Sequence, residues 1–155
     1  MHFKRRQIVL GLLATPLAAS IPGLAFAAAK PAIHVAKTAT CGCCHLWVEH
    51  LENEGFEVTA ENMAIGQLSQ FKTSHGITPD LASCHTGRIA DYTVEGHVPA
   101  REIKRLIAEK PDAIGLTVPG MPLGSPGMDY GPKREPYEVL LIQKDGSTKV
   151  FAKYD

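Results

Sequence analysis

The sequence has no excess of either charge: 16 Lys and Arg stand against 16 Asp and Glu over 155 residues. A surface that follows nucleic-acid phosphates needs a positive balance, so this composition argues against nucleic acid as a partner. Long uninterrupted apolar runs are also missing. The apolar stretch from Ile8 to Leu24 is broken by Pro16 and Pro22, and no positive stop-transfer flank follows until Lys30. A permanent membrane anchor is therefore the weaker reading of that stretch. No long internal repeat is present, only the local echo of Pro119-Gly120-Met121 in Pro126-Gly127-Met128. Cysteine is absent everywhere except Cys41, Cys43, Cys44 and Cys84.

What the N-terminus does contain is the pattern of an export signal. Lys4, Arg5 and Arg6 give a positive start, the broken apolar stretch follows, and Ala25-Phe26-Ala27 offers a small-x-small cleavage site. The Arg5-Arg6 pair is compatible with twin-arginine as well as Sec export. Residues 1–27 are thus expected to be a signal peptide and 28–155 one domain, with no stable membrane span after cleavage. The 128 remaining residues are enough for a real core. Their net charge is −3, because the signal carries three basic residues and no acid.

Along that domain, Ala32 to Ala36 reads as a strand with Ile33 and Val35 on one face. Cys44, Trp47, Val48 and Leu51 then follow the i, i+3, i+4, i+7 rule of an amphipathic helix, with His45, Glu49 and Glu52 opposite and Gly55 as the stop. Phe56, Val58 and Ala60 alternate as a second strand. Ile65, Leu68 and Phe71 are expected to face inward from a short helix that ends near Gly76. A loop from Ile77 to Ser83 leads to a third strand over Ile89 to Val94. Pro99 opens another helix, with Ile103, Leu106 and Ile107 inward and Lys110-Pro111 closing it. Ten of the 22 residues from Gly115 to Pro136 are Gly or Pro, which predicts a long loop. Tyr137 to Lys144 and Thr148 to Tyr154 flank Asp145-Gly146, a hairpin signal. The alternation predicts a small α/β layer structure.

The thiols are placed for chemistry. Cys41 ends the first strand, and Cys43 and Cys44 enter the first helical turn, where free N–H groups and the helix dipole favour thiolate. Thiolate serves both disulfide exchange and soft-metal binding. Three disulfide pairings are open to four cysteines, and a bond between adjacent Cys43 and Cys44 would be strained. An attacking and a resolving cysteine suffice for redox exchange, so Cys43 inside the C-x-x-C frame and the distant Cys84-His85 are a surplus. That surplus suits a thiolate-rich metal site. Thiolates and thioethers select Cu(I), while zinc accepts the same four ligands. The plain structural alternative is a pair of disulfides stapling a small exported domain. A Cys41–Cys44 staple, however, closes almost no loop. Met121 and Met128 stand in the Gly/Pro loop as soft donors or as a lid. His97 reads more readily as a helix-start residue than as a ligand, and His34, His50 and His75 carry no functional reading.

Together, Cys41-Gly-Cys-Cys44, Trp47, Ser83-Cys84-His85-Thr86, the run from Tyr92 to Ala100 and the run from Val118 to Met128 resemble the CopG-type periplasmic copper-resistance family, across essentially the whole mature chain. The resemblance implies a thioredoxin-like single domain with a Gly/Pro-rich loop and a C-terminal β-hairpin. It implies Cu(I) as the cargo, held by Cys41, Cys43, Cys44 and Cys84, with His85, Met121 and Met128 as secondary ligands. It also implies a periplasmic location among other copper-handling proteins. The alternative is an enzyme, a thiol–disulfide or copper oxidoreductase using Cys41 and Cys44.

Overall fold

A computed structural model describes residues 29–155; the signal peptide expected over 1–27 lies outside the described residues. The elements run β1 (Ala32–Lys37), α1 (Gly42–Asn53), β2 (Glu57–Asn62), α2 (Ile65–Ser74), β3 (Thr86–Ile89), β4 (Tyr92–Glu95), α3 (Ala100–Glu109), β5 (Ala113–Thr117), β6 (Tyr137–Gln143) and β7 (Thr148–Tyr154). All the strands join one open mixed sheet in the order β2-β1-β3-β4-β5-β6-β7. The pairs β1–β2 and β4–β5 are parallel and the rest antiparallel. This is an α/β architecture of thioredoxin-like topology.

One face of the sheet carries the main core. Ile33 and Val35 of β1 pack with Trp47, Val48 and Leu51 of α1 and with Ile103 and Leu106 of α3. The apolar stripe of α1 is buried, and His45, Glu49 and Glu52 are exposed, as the helical spacing requires. Each large apolar side chain buried here contributes roughly 1.5–3 kcal/mol. Gly55, at φ +90°, ends α1 in a conformation that costs glycine little, and the Phe56 N–H closes the last turn on the Leu51 carbonyl at 3.0 Å. The opposite face holds a smaller cluster of Ile77, Leu81 and Ile142. Neighbouring strand residues point to opposite faces, and accordingly Leu141 joins the main core while Ile142 joins the smaller one.

Three local expectations are corrected. The stretch from Ile89 to Val94 is not one strand: β3 and β4 form a tight hairpin that turns at Ala90-Asp91, with Ala90 at φ +48°. Alanine rarely takes that conformation, so no residue there announces a turn. The Gly/Pro segment is not loop from its first residue, because Gly115 to Thr117 lie in β5 between β4 and β6. Position 115 of the strand is glycine because a side chain there would collide with the Thr93 backbone across the β4–β5 pair. Finally, Ile65 does not face inward. It is 81% exposed at the first position of α2, and Leu68 alone in that helix is buried. Ile107, for its part, is only partly buried against the main core.

Candidate metal centre

The sheet register gathers the chemistry at one end. β1 runs into the Cys41 turn, and the antiparallel partner of its Ala36 is Thr86, so Cys84 and His85 lie where β1 ends. Thr86 in turn pairs with Glu95, which brings His97 to the same end. Glu95 pairs with Thr117 of parallel β5, so the Gly/Pro loop after Thr117 also leaves the sheet there. Four segments far apart in sequence thus converge.

Cys41 is the N-cap residue of α1 and takes no side-chain capping bond. Its sulfur is joined to that of Cys44 in a disulfide, while Cys43 and Cys84 are free and half-buried. The bond is the C-x-x-C one, and it leaves one free thiol on each of the two distant segments. Cys43 Sγ lies 3.5 Å from Cys41 Sγ and 3.7 Å from Cys84 Sγ. The four sulfurs all fall within 4.8 Å of one another. Burial, and then the neighbouring Cys43, push the Cys84 thiol up to about 12. In the absence of a cation, then, Cys84 holds its proton, and metal binding must displace it.

A second group shares Cys84. His97 Nε2 lies 3.1 Å and His85 Nδ1 3.3 Å from Cys84 Sγ, and these three donor atoms also fall within 4.8 Å of one another. His97 Nδ1 sits 2.8 Å from the Pro126 carbonyl, which can only accept, so the proton is on Nδ1. In the neutral ring Nε2 then presents its lone pair to the sulfur. A ring nitrogen anchored on a backbone carbonyl is how metal-binding histidines are commonly oriented. His85 is wholly buried, packed against Trp47 in a tilted arrangement with ring centroids 4.3 Å apart and edge-on to His97 at 4.9 Å. Its Nε2 has no hydrogen-bond partner among the described residues. Burial, then His97 and Lys72, hold its pKa well below the usual histidine value, and burial also lowers that of His97.

The Gly/Pro loop closes over the centre. Gly127, at φ +83°, packs against the first turn of α1 so tightly that a Cβ there would lie 2.8 Å from both the Cys43 carbonyl and the Trp47 nitrogen. Met128 beside it is buried, whereas Met121 is 52% exposed. The Gly120 carbonyl accepts from the Ser83 hydroxyl, and the Gly120 N–H donates to Ala82, which ties the loop to the Cys84 segment.

Cys41, Cys43, Cys44, Cys84 and His85 are therefore brought together, and Met128 stands inside the closing loop. His97 is the residue that the sequence reading underweighted. No local signal marked it: the hairpin turn at Ala90-Asp91, which carries no glycine or asparagine, is what places the residues after Glu95 beside those before Thr86. His50, given no role from sequence, accepts the Ala100 N–H at 3.2 Å and so caps α3, whose N-cap Pro99 has no side-chain acceptor.

Comparison with known proteins then decides the family. A solved structure described as "Copper resistance protein copG- Form 2" is 43% identical, with a TM-score of 0.76 over 81% of this chain and 99% of that one. The chain belongs to the CopG family. A second solved CopG structure, described as Form 1, is 44% identical with a TM-score of 0.75, covering 81% of this chain and 98% of that one. The family model described as "Protein of unknown function, DUF411" matches residues 81–128. That span holds Cys84, His85, His97, Met121 and Met128, but not the cysteines of α1. No curated protein matches the chain.

Proposed function

We propose that the protein binds copper as Cu(I) in the periplasm and thereby serves copper resistance, its site built by Cys41, Cys43, Cys44 and Cys84. The observation that carries this reading is the convergence of four sulfurs from two distant segments within 4.8 Å. A set of thiolates with imidazole at its edge is soft, and soft donors select Cu(I). His97 and His85 border the same sulfur and join the ligand set as nitrogen donors, with Met128 as the nearer candidate of the two loop thioethers. Export by the N-terminal signal, and exchange of copper with other periplasmic copper-handling proteins, complete the reading.

The disulfide makes the site conditional. While Cys41 and Cys44 are joined, two sulfurs are left as thiol donors. Adding two electrons and two protons breaks that bond and yields the four-thiol set. Metal binding and thiol redox state are thereby linked. A second reading draws on the same feature: a disulfide at the N-terminus of α1, with Cys44 buried and Cys43 3.5 Å from Cys41, is the arrangement of a thiol–disulfide or copper oxidoreductase. That reading expects turnover to survive Cys84→Ser.

The test is an anaerobic Cu(I) titration of the reduced residues 28–155 against a competing chelator. A quadruple Cys→Ser variant and a zinc titration run in parallel. Tight Cu(I) binding that is lost in the variant, with zinc much weaker, supports the proposal. Binding no tighter than the variant's contradicts it.

A further inference from the structure

Directly behind Cys84 lies a charged network that the sulfur chemistry does not use. Glu95, at the end of β4, is completely buried. Its Oε1 accepts from the Ser83 backbone N–H at 2.6 Å and from Lys72 Nζ at 2.6 Å. Its Oε2 accepts from the Thr86 hydroxyl at 2.6 Å, and Lys72 also donates to that hydroxyl oxygen at 3.0 Å. Lys72 comes from α2, while His85 packs against Trp47 of α1. Two oxygens of one carboxylate thus grip the residue before Cys84 and the residue after His85.

Charge burial of this kind gives little net stability, since desolvation offsets the attraction, and an apolar set of similar volume would hold the core as well. What it supplies is direction. Ser83 is also held from the far side by the Gly120 carbonyl, and Gly96, at φ +72°, lets the chain pass so close that a Cβ would sit 2.5 Å from the Ser83 Cβ. The Cys84 backbone is fixed on both sides, and the 3.7 Å approach of its sulfur to Cys43 follows from that fixing. We propose that Glu95, with Lys72 and Thr86, is a positioning device for the metal site, setting the Cys84–Cys43 sulfur separation through the Ser83–Thr86 segment. This rests on the metal-binding reading above, but its geometric part can be tested without metal.

The probe for geometry is dibromobimane, a short reagent that becomes fluorescent when it bridges two thiols. It is applied to the protein with the Cys41–Cys44 disulfide intact, where Cys43 and Cys84 are the free thiols. Glu95→Gln and the milder Thr86→Val, which removes one hydroxyl, are compared with Thr86→Ser, which retains it. Glu61→Gln, at an exposed pair with His34, is the control. Far-ultraviolet circular dichroism confirms that each variant is folded at the assay temperature. The proposal expects slower bridging in Glu95→Gln and Thr86→Val, wild-type bridging in Thr86→Ser and Glu61→Gln, and Cu(I) affinity reduced by about 10- to 100-fold in the first two. Folded Thr86→Val that bridges and binds Cu(I) as the wild type does would overturn it. If the wild type itself binds no Cu(I), the proposed function fails, and the bridging rates still decide whether Glu95 sets the sulfur separation.

Discussion

The two halves of the centre are built by different physics. Cys41, Cys43 and Cys44 ride on α1, which is held by an apolar stripe: Trp47 and Leu51 are fully buried, and the Trp47 indole N–H reaches the Val98 carbonyl at 2.9 Å. Cys84, His85 and His97 ride on the ends of a four-residue hairpin pair, held by a buried carboxylate, a lysine, a backbone carbonyl and a loop rich in glycine and proline. Apolar packing tolerates small shifts at modest cost, whereas a hydrogen-bonded network has one good geometry. The helix half therefore governs whether the chain folds, and the hairpin half governs where one sulfur and two imidazoles stand.

Removing the keystone of the first half gives the largest expected effect. Trp47→Ala should destabilise by about 3–5 kcal/mol, because it empties a fully buried site and strips the ring packed against His85. Urea denaturation followed by circular dichroism checks this; a loss below about 1 kcal/mol would mean that the helix half is not the folding core. Gly127→Val is expected to come next. The left-handed backbone and the contact with the Cys43 carbonyl leave no room for a branched side chain, so the loop must lift from α1. The expected cost is roughly 1–3 kcal/mol, together with faster alkylation of Cys43 in the disulfide form. Unchanged alkylation would show that the loop does not cover the thiols.

The helix half was largely legible in the sequence. The spacing of Cys44, Trp47, Val48 and Leu51 is helical, Gly55 is a clean stop, and Asp145-Gly146 marks the last hairpin, so periodicity and turn chemistry sufficed. The hairpin half was not. Ala90-Asp91 has none of the glycine or asparagine that normally announces a tight turn, and β5 runs into a glycine- and proline-rich stretch whose composition reads as loop. Ile65 mimicked an inward position because helical spacing cannot tell the first residue of a helix from its middle. His97 was undervalued for the same reason as the hairpin: its partner is 13 residues away and meets it only through strand pairing.

Acid titration compares the halves at a smaller amplitude. Burial lowers the pKa of His50, the acceptor that ties α1 to α3; Glu54 and Asp129 oppose that shift and Lys104 adds to it. The unfolded chain takes up this proton near the ordinary value of 6.5, and the folded chain only at lower pH. Stability is therefore complete above 6.5 and falls as the pH drops below it. Denaturant midpoints taken at about pH 7.5 and 5.5 should show the drop. His50→Gln keeps an acceptor without a titrating ring and should reduce it; an equal drop in that variant would assign it to the site histidines, His85 and His97. The smallest effect is expected at the surface, where His45 and Glu49 form an exposed i, i+4 pair at 3.2 Å. Glu49→Gln should change stability by less than about 0.5 kcal/mol, and a larger loss would mean that this face is not merely solvated.

The central claim is that both halves contribute to one copper site. Cu(I) affinity of reduced Cys84→Ser, measured by chelator competition beside the wild type and Cys43→Ser, addresses it most directly. The account predicts that Cys84→Ser weakens Cu(I) binding as severely as Cys43→Ser does, although it leaves the entire Cys41–Cys44 motif in place. Wild-type affinity in folded Cys84→Ser would contradict it and return the site to the helix alone.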